Sequence, residues 1–264
     1  MIREVARYQN ADGGFGNALE PDLRTPASTG IATAVGLRLL REVHAPSGSP
    51  VVASAIQHLI DSIDRRAFVW PIITEQAALA VHAPWWSYSD QLESWNGFRF
   101  NPTAEALAYL YEYRDLVPRA FLDSVTDAFI GSLRKTDVIE SYYEVQCCCQ
   151  LFRTNGLADS LRKPLAECLR RSLLALDPGN EHTNYFELSP APDDFIYPLI
   201  EKHYQRAVTQ AVEEQDERGC WNLFWDWSNV DAREWSKAKV VWEGALTRIT
   251  LTSLHNHGAI ADRG

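Results

Sequence analysis

Four stretches of this sequence carry residues that could do chemistry. The first is EPDLR, which sets Glu20, Asp22 and Arg24 close together. The second, His82 to Tyr88, holds Trp85, Trp86 and Tyr88, and the third runs through Asn184, Tyr185, Asp193 and Asp194. The fourth contains Trp225, Asp226 and Trp227 and continues to Trp235, Trp242 and Glu243. Carboxylates beside flat aromatic rings suit proton transfer in an apolar site, and they suit sugar rings and glycoside chemistry equally well. Asp22 is the strongest acid candidate, because Pro21 stiffens its approach and Arg24 can orient it; Glu20 and Asp194 are further catalytic candidates. Trp85, Trp86 and Trp227 are the expected stacking groups, with Arg24, Tyr88, Glu105, Trp225 and Trp242 as further substrate contacts. Plainer roles stand beside these: an internal Asp22–Arg24 ion pair, helix caps for Asp193 and Asp194, a favourable helix-end charge for Glu105 and, for the chain as a whole, a non-catalytic scaffold.

Elements far apart in the chain must position these groups, and a repeat shows how. Tyr8 to Arg24 reads YQNADGGFGNALEPDLR, and Glu213 to Trp227 reads EEQDERGCWNLFWDW. Gln9 and Gln215, Gly13 and Gly219, Phe15 and Trp221 fall at matching offsets. Each copy follows a short helical tail and precedes a long helix, Ser28–His44 or Lys237–His255, so the unit is helix, tight loop, helix. The glycines turn the backbone, the aromatic covers the turn, and the Gln can bond backbone groups exposed at a helix end.

Apolar periodicity predicts amphipathic outer helices over Val51–Ile63, Phe121–Lys135, Ser160–Leu176 and Tyr197–Glu214. Inner helices, apolar on more than one side, are expected over Ser28–His44, Thr103–Tyr113, Ser141–Phe152 and Lys237–His255. A further inner helix is expected within the irregular Asp177–Phe195. The long loop from Asp64 to Phe100 holds Trp70, Trp85, Trp86 and Trp95, too many tryptophans for a disordered segment. With no strand pattern the fold class is all-α, and the alternation describes an α/α toroid of about five pairs in one domain, 1–264. In that arrangement the loops leading into inner helices share one end, so Glu20, Asp22 and Arg24 should share a rim with Trp85, Trp86, Trp225 and Trp227.

At Gln9, Asp12, Gly13, Gly14 and Phe15 the chain resembles the terpenoid cyclase and protein prenyltransferase superfamily. QW motifs there read Gln-x-x-Asp-Gly-x-Trp, and the prenyltransferase beta subunits carry a similar Gly-Gly-Phe-Gly run; bacterial members of about this length are the most similar. The second copy departs, with Arg218 where Asp is usual. The resemblance implies an α/α toroid whose central aromatic-lined cavity takes a small isoprenoid-type ligand. It also implies a carboxylic acid that protonates an alkene, with aromatic faces stabilising the carbocation. Both acid signatures of the superfamily are interrupted: Ala191 replaces the first Asp before Asp193-Asp194, and Tyr197 stands where a magnesium-binding Asp would follow. The prenyltransferase zinc set finds only Asp216, Cys220 and His255 or His257, at another spacing, and neither metal nor cofactor is expected.

Composition bounds the partners. Of 264 residues, 46% are hydrophobic and 23% charged, ordinary for a globular chain with a full core. A net charge of −10 without a basic cluster argues against nucleic acid. No apolar run approaches the roughly 20 residues that cross a bilayer, and no signal peptide is expected. Cys147, Cys148 and Cys149 are consecutive, which suits small buried residues in a reducing, cytoplasmic compartment rather than a disulfide framework. The first outer helix, Ile2 to Tyr8, is too short to complete a helical pair. That predicts either a longer true start or an apolar groove beside Val5 through which the chain self-associates.

Overall fold

The computed structural model describes residues 1–89, 100–177, 179–180 and 182–260, so Trp95 lies outside the described residues. Ten α-helices run through them: α1 Ile2–Val5, α2 Gly30–Glu42, α3 Pro50–Ser62, α4 Phe100–Glu112, α5 Arg119–Leu133, α6 Tyr142–Phe152, α7 Asp159–Ala175, α8 Tyr185–Leu188, α9 Tyr197–Glu214 and α10 Ala232–Asn256. Extended pairing among the described residues is limited to the isolated bridges Gln9–Phe15, Leu23–His82 and Asp64–Val69. The fold is all-α. No helix among the described residues is long and apolar enough to cross a membrane.

Local chemistry explains the helix starts. The Thr29 side chain caps α2 by accepting from Ala32 N, and Pro50 occupies the first turn of α3, where a missing N–H costs nothing. Asp231 caps α10 through Arg233 N and Glu234 N, which starts that helix at Ala232 rather than at the expected Lys237. Asn184 caps the single-turn α8, the one regular piece among the described residues of the stretch expected to hold a further inner helix.

Packing follows two successions. Helices α2, α4, α6, α8 and α10 contact one another in that order, while α5, α7 and α9 pack in series alongside them. An Arg248–Glu42 ion pair at 3.1 Å joins α10 back to α2. One hydrophobic cluster extends from Val5 to Ile200 and takes in nearly all of α4, including Leu107 and Leu110. Each such side chain contributes roughly 1.5–3 kcal/mol by leaving water. Cys147, Cys148 and Cys149 are buried in α6 as small core residues. Val5 is buried too, with Ile2 packed on the same cluster, so the chain itself covers the expected groove beside Val5. Uncovered apolar surface lies instead on α10, where Val240 and Val241 are 69% and 53% exposed.

The two repeat copies build the same turn. Gln9 Nε2 donates to Gly13 O at 2.9 Å, and Gln215 Nε2 to Gly219 O at 3.1 Å. Asn10 N bonds Gly14 O, and Asp216 N bonds Cys220 O, at 2.8 and 2.9 Å. Gly13 and Gly219 share a left-handed φ of 85° and 80°, which L side chains adopt only under strain. Phe15 then lies flat on α2, where a Cβ on Gly36 would sit 2.7 Å from its ring. The small residues of α2 therefore admit the aromatic that follows the turn.

Candidate functional site

The segment Glu20–Arg24 is held by backbone to the second tryptophan-bearing stretch. Arg24 N donates to Val81 O at 2.9 Å and Ala83 N to Asp22 O at 2.8 Å, around the Leu23–His82 bridge. That pairing sets EPDLR beside the 3-10 turn Pro84–Trp86. The fourth stretch closes over both, because Trp227 Nε1 donates to Asp22 Oδ1 at 2.7 Å across 205 residues of sequence. Arg24 adds a second tie, an ion pair with Glu234 on α10 at 3.0 Å.

Two carboxyl groups are thereby enclosed, with Glu20 5% and Asp22 2% exposed. Asp22 N approaches Glu20 Oε1 at 3.4 Å. Burial, and then the charge of Asp22, push the Glu20 carboxyl up to about 8. Burial raises Asp22 as well, opposed by the indole N–H of Trp227 and then by those of Trp242 and Trp225. Both carboxyls thus hold a proton more tightly than an ordinary carboxylate, and the charge of Asp22 acts on Glu20. Trp225 and Trp242 bring their N–H groups beside Asp22 without reaching hydrogen-bond geometry, and Trp86 does the same beside Glu20. All three indole nitrogens are buried and unpartnered.

A second buried network lies next to the first. Arg38 of α2 forms a fork with Glu105 of α4 at 2.9 and 3.1 Å and reaches Glu187 of α8 at 3.5 Å. Tyr109 OH donates to Glu105 at 2.6 Å and Tyr142 OH to Glu187 at 3.2 Å. Burial alone would raise Glu105, but the charge and hydrogen bonds of Arg38 outweigh it and hold that carboxyl below its ordinary range. Burial wins at Glu187, which lies above it. Arg38 and Glu187 sit deep among the helices, yet 24% and 19% of their side chains are accessible, so solvent penetrates between α2 and α8. Burial raises the Tyr143 hydroxyl, and the charges of Glu187, Glu20 and Asp22 raise it further, which places it within electrostatic reach of both networks.

The structure thus brings together Glu20, Asp22, Trp86, Trp225, Trp227 and Trp242, with Arg24 at their edge. Corrections follow for the rest. Arg24 pairs with Glu234 rather than orienting Asp22, a task the Trp227 N–H performs. Trp227 is wholly buried with its ring against Trp235, so its face is closed to a ligand. Asp194 joins neither network: Arg153 takes its carboxylate, and its other oxygen accepts from Ile196 N at 3.2 Å in the turn before α9, whose own N-cap, Ile196, makes no side-chain cap bond. Glu105 is occupied by Arg38 and Tyr109 and acts on the site only through Arg38. Trp85 is exposed, and Tyr88 packs with Trp86 around Leu23. Asn184 and Asp226 serve local backbone, while Tyr185 stacks on His203. Sequence reasoning missed Arg38, Glu187 and Tyr143; the available signal was an arginine in the middle of a helix otherwise read as buried.

A cleft of about 630 Å³ lies elsewhere, along Asn10, Asp12, Ser28, His58 and Trp70. Its polar groups satisfy one another: Asp12 accepts from Gly14 N and Ser28 Oγ, and Asn10 donates to Ser28 and Pro26. The carboxyl pair, with donors left unpaired, is the more reactive arrangement. Asp216 accepts from Arg218 N and Cys220 N at 2.9 Å each, a turn-closing role. Among the described residues no group of three or more His, Cys, Asp or Glu side chains is placed to hold a metal ion. No family model matches the chain, and no curated protein or solved structure matches it.

Proposed function

We propose that this chain is an α/α toroid on the plan of the terpenoid cyclases, and that Glu20 and Asp22 form an acid–base pair acting on a small neutral substrate inside it. Support for the ring comes from the serial packing of α2, α4, α6, α8 and α10, with the Arg248–Glu42 and Arg24–Glu234 pairs tying the last helix to the first part of the chain. The partly accessible side chains of Arg38 and Glu187 support reading them as its inner wall. Five unpaired cysteines support a reducing, cytoplasmic compartment.

One observation carries the acid–base reading: two enclosed carboxyls, Glu20 pushed up to about 8 and so protonated at neutral pH, and Asp22 accepting a buried indole N–H. Glu20, not Asp22, is therefore the proton donor. On an isoprenoid alkene, the substrate class the resemblance implies, the Glu20 O–H bond breaks as a C–H bond forms, leaving a carbocation. Asp22 accepts the proton that the cation then loses, and its return to Glu20 resets the pair with the substrate's atoms conserved. A second reading, proton donation to a glycosidic oxygen, is favoured by the unpartnered indole N–H groups.

The test is turnover of prenyl alcohols and aryl glycosides by the wild type, Glu20→Gln and Asp22→Asn. A donor role requires Glu20→Gln to lose on the order of 100-fold or more while the melting temperature holds. Full activity in that variant refutes it.

A further inference from the structure

The cleft beside the first Gly-rich turn holds a histidine in one orientation. His58, on α3, sets its Nδ1 3.2 Å from Asp12 O. A carbonyl oxygen only accepts, so Nδ1 carries the proton and the lone pair of the neutral ring is on Nε2. That edge of the ring lies over Gly14, where a Cβ would stand 2.6 Å from Nε2 and 2.7 Å from Ser28 Cβ. No larger residue fits at position 14 with the ring in place, so the glycine admits the imidazole and the Asp12 carbonyl fixes its tautomer.

Asp12 is engaged on one oxygen. Its Oδ1 accepts from Gly14 N at 3.0 Å and from Ser28 Oγ at 2.8 Å, and Asn10 Nδ2 donates to that Ser28 hydroxyl at 2.9 Å. Its Oδ2 makes no hydrogen bond among the described residues and lies 3.7 Å from His58 Nδ1. This mutual pairing therefore leaves two acceptors over, Asp12 Oδ2 and His58 Nε2, on neighbouring side chains that are both partly open to solvent. Both residues line the cleft of about 630 Å³, within the range of small-molecule pockets, with Pro26, Ala27 and Pro71 as apolar wall. A second cleft of about 340 Å³ meets it at Ala11 and Asp12.

Charge and donor count select the occupant. Asp12 is the one acidic or basic side chain besides His58 among the described residues lining the cleft, and the chain carries a net charge of −10, so an anion is repelled. A hydroxyl has a single proton to give. An ammonium group has three, serves both acceptors at once and meets the charge of the carboxylate. The start of α2 also lines the cleft, at Thr29 and Gly30, and its positive end would oppose a cation. Its leading N–H groups are already taken, however, Ala32 N by Thr29 Oγ1 and Ile31 N by Ile72 O.

We propose that Asp12 and His58 form a binding site for a small organic ammonium ion, whose N–H groups donate to Asp12 Oδ2 and His58 Nε2 while its hydrocarbon part lies against Pro26 and Pro71. The site is separate from Glu20 and Asp22, neither of which lines this cleft, and it does not depend on their acid–base role.

The experiment is a calorimetric titration of the full chain with phenethylamine and cadaverine, set against phenethyl alcohol and phenylacetate as the neutral and anionic matches of the first. It is run at about pH 8 and about 0.15 M salt, where exposed charges more than roughly 8 Å apart are screened. Spectra of the ¹⁵N-labelled imidazole of His58 are recorded in parallel. The expected result is saturable binding confined to the amines, with a shift of the His58 Nε2 signal. Asp12→Asn keeps an Oδ1 for Gly14 N and Ser28 Oγ, so the turn persists, but amine binding should weaken about tenfold or more, the effect of a hydrogen bond to a charged group. Asp123→Asn, at an exposed carboxylate on α5, should leave binding unchanged, which separates the site from diffuse attraction to an acidic surface. Equal binding of the alcohol or of phenylacetate, no saturable binding of either amine, or equal loss in the two aspartate variants overturns the proposal. Amine binding that leaves the His58 Nε2 signal unmoved overturns it as well, and that spectrum of the unaltered chain decides the matter should Asp12→Asn fail to fold.

Discussion

Glu20→Gln gives the sharpest physical test of the site, and it needs no substrate. The native carboxyl holds its proton up to about 8, whereas an ordinary glutamate in the unfolded chain releases it near 4.5. Below about 4.5 both states are protonated and the group's contribution to stability is complete. As pH rises toward 8 the unfolded state loses its proton while the native state keeps it, so stability falls across that window and levels off above it. At about 1.4 kcal/mol per pH unit the interval amounts to roughly 5 kcal/mol at most. Glutamine matches the neutral form in shape and titrates in neither state. Urea unfolding of wild type and variant between about pH 5 and 9 should therefore give curves that coincide at the acid end and diverge by a few kcal/mol at the alkaline end, the variant being the more stable. Parallel curves across the whole range would mean that Glu20 is ionised in the native state. The acid assignment would go with it.

Three further outcomes are expected. Gly13→Ala should cost roughly 3 kcal/mol or more, since its left-handed backbone is compounded by a Cβ 2.3 Å from Ser54 O; Gly219→Ala, with only Gln215 Nε2 at 3.8 Å, should cost about 1 kcal/mol, both read by chemical denaturation. Trp227→Phe keeps an aromatic ring but strips the Asp22 carboxyl of its 2.7 Å hydrogen bond and leaves the space of the lost pyrrole ring empty, so about 1–3 kcal/mol should be lost for the bond at neutral pH, less once acid protonates the carboxyl, with a pH-independent loss for the cavity on top. In thiol titration of the native protein Cys220 should react first and Cys147, Cys148 and Cys149 not until unfolding, because burial pushes their thiols up, that of Cys149 to about 12.

The helices were legible because their apolar positions repeat locally. Tyr197–Glu214 is found at its predicted bounds, and Ser141–Phe152 differs only in that Ser141 is the cap. The repeat was legible for the same reason: Gln9 and Gln215 act on glycines four residues away. Charge partners were not, since they are set by tertiary approach. Arg24 finds Glu234 at a separation of 210 residues, Arg38 finds Glu105 at 67, and Asp194 is claimed by Arg153 at 41. Reading α2 as apolar all round passed over Arg38, so the network between α2, α4 and α8 was invisible. Asp22 meets Trp227, and its partner within the site is a neutral dipole where sequence proximity suggests Arg24.

That difference sets the chemistry. A guanidinium against Asp22 would lower its proton affinity by roughly 1–3 pH units and fix it as an inert counter-ion. Indole N–H groups stabilise the carboxylate without adding net charge, and burial still holds its proton affinity above the ordinary range. The arginines are drawn off to Glu234, Glu105 and the Asp216–Glu243 pair, and each of those acids is held by a cation in the way Asp22 is not. Glu105 shows the consequence, lying below its ordinary range beside Arg38 while Glu20 lies above its own beside Asp22. Two kinds of buried acid thus coexist a short distance apart, one committed to structure by a cation and one left titratable by dipoles. Only the second kind can move a proton.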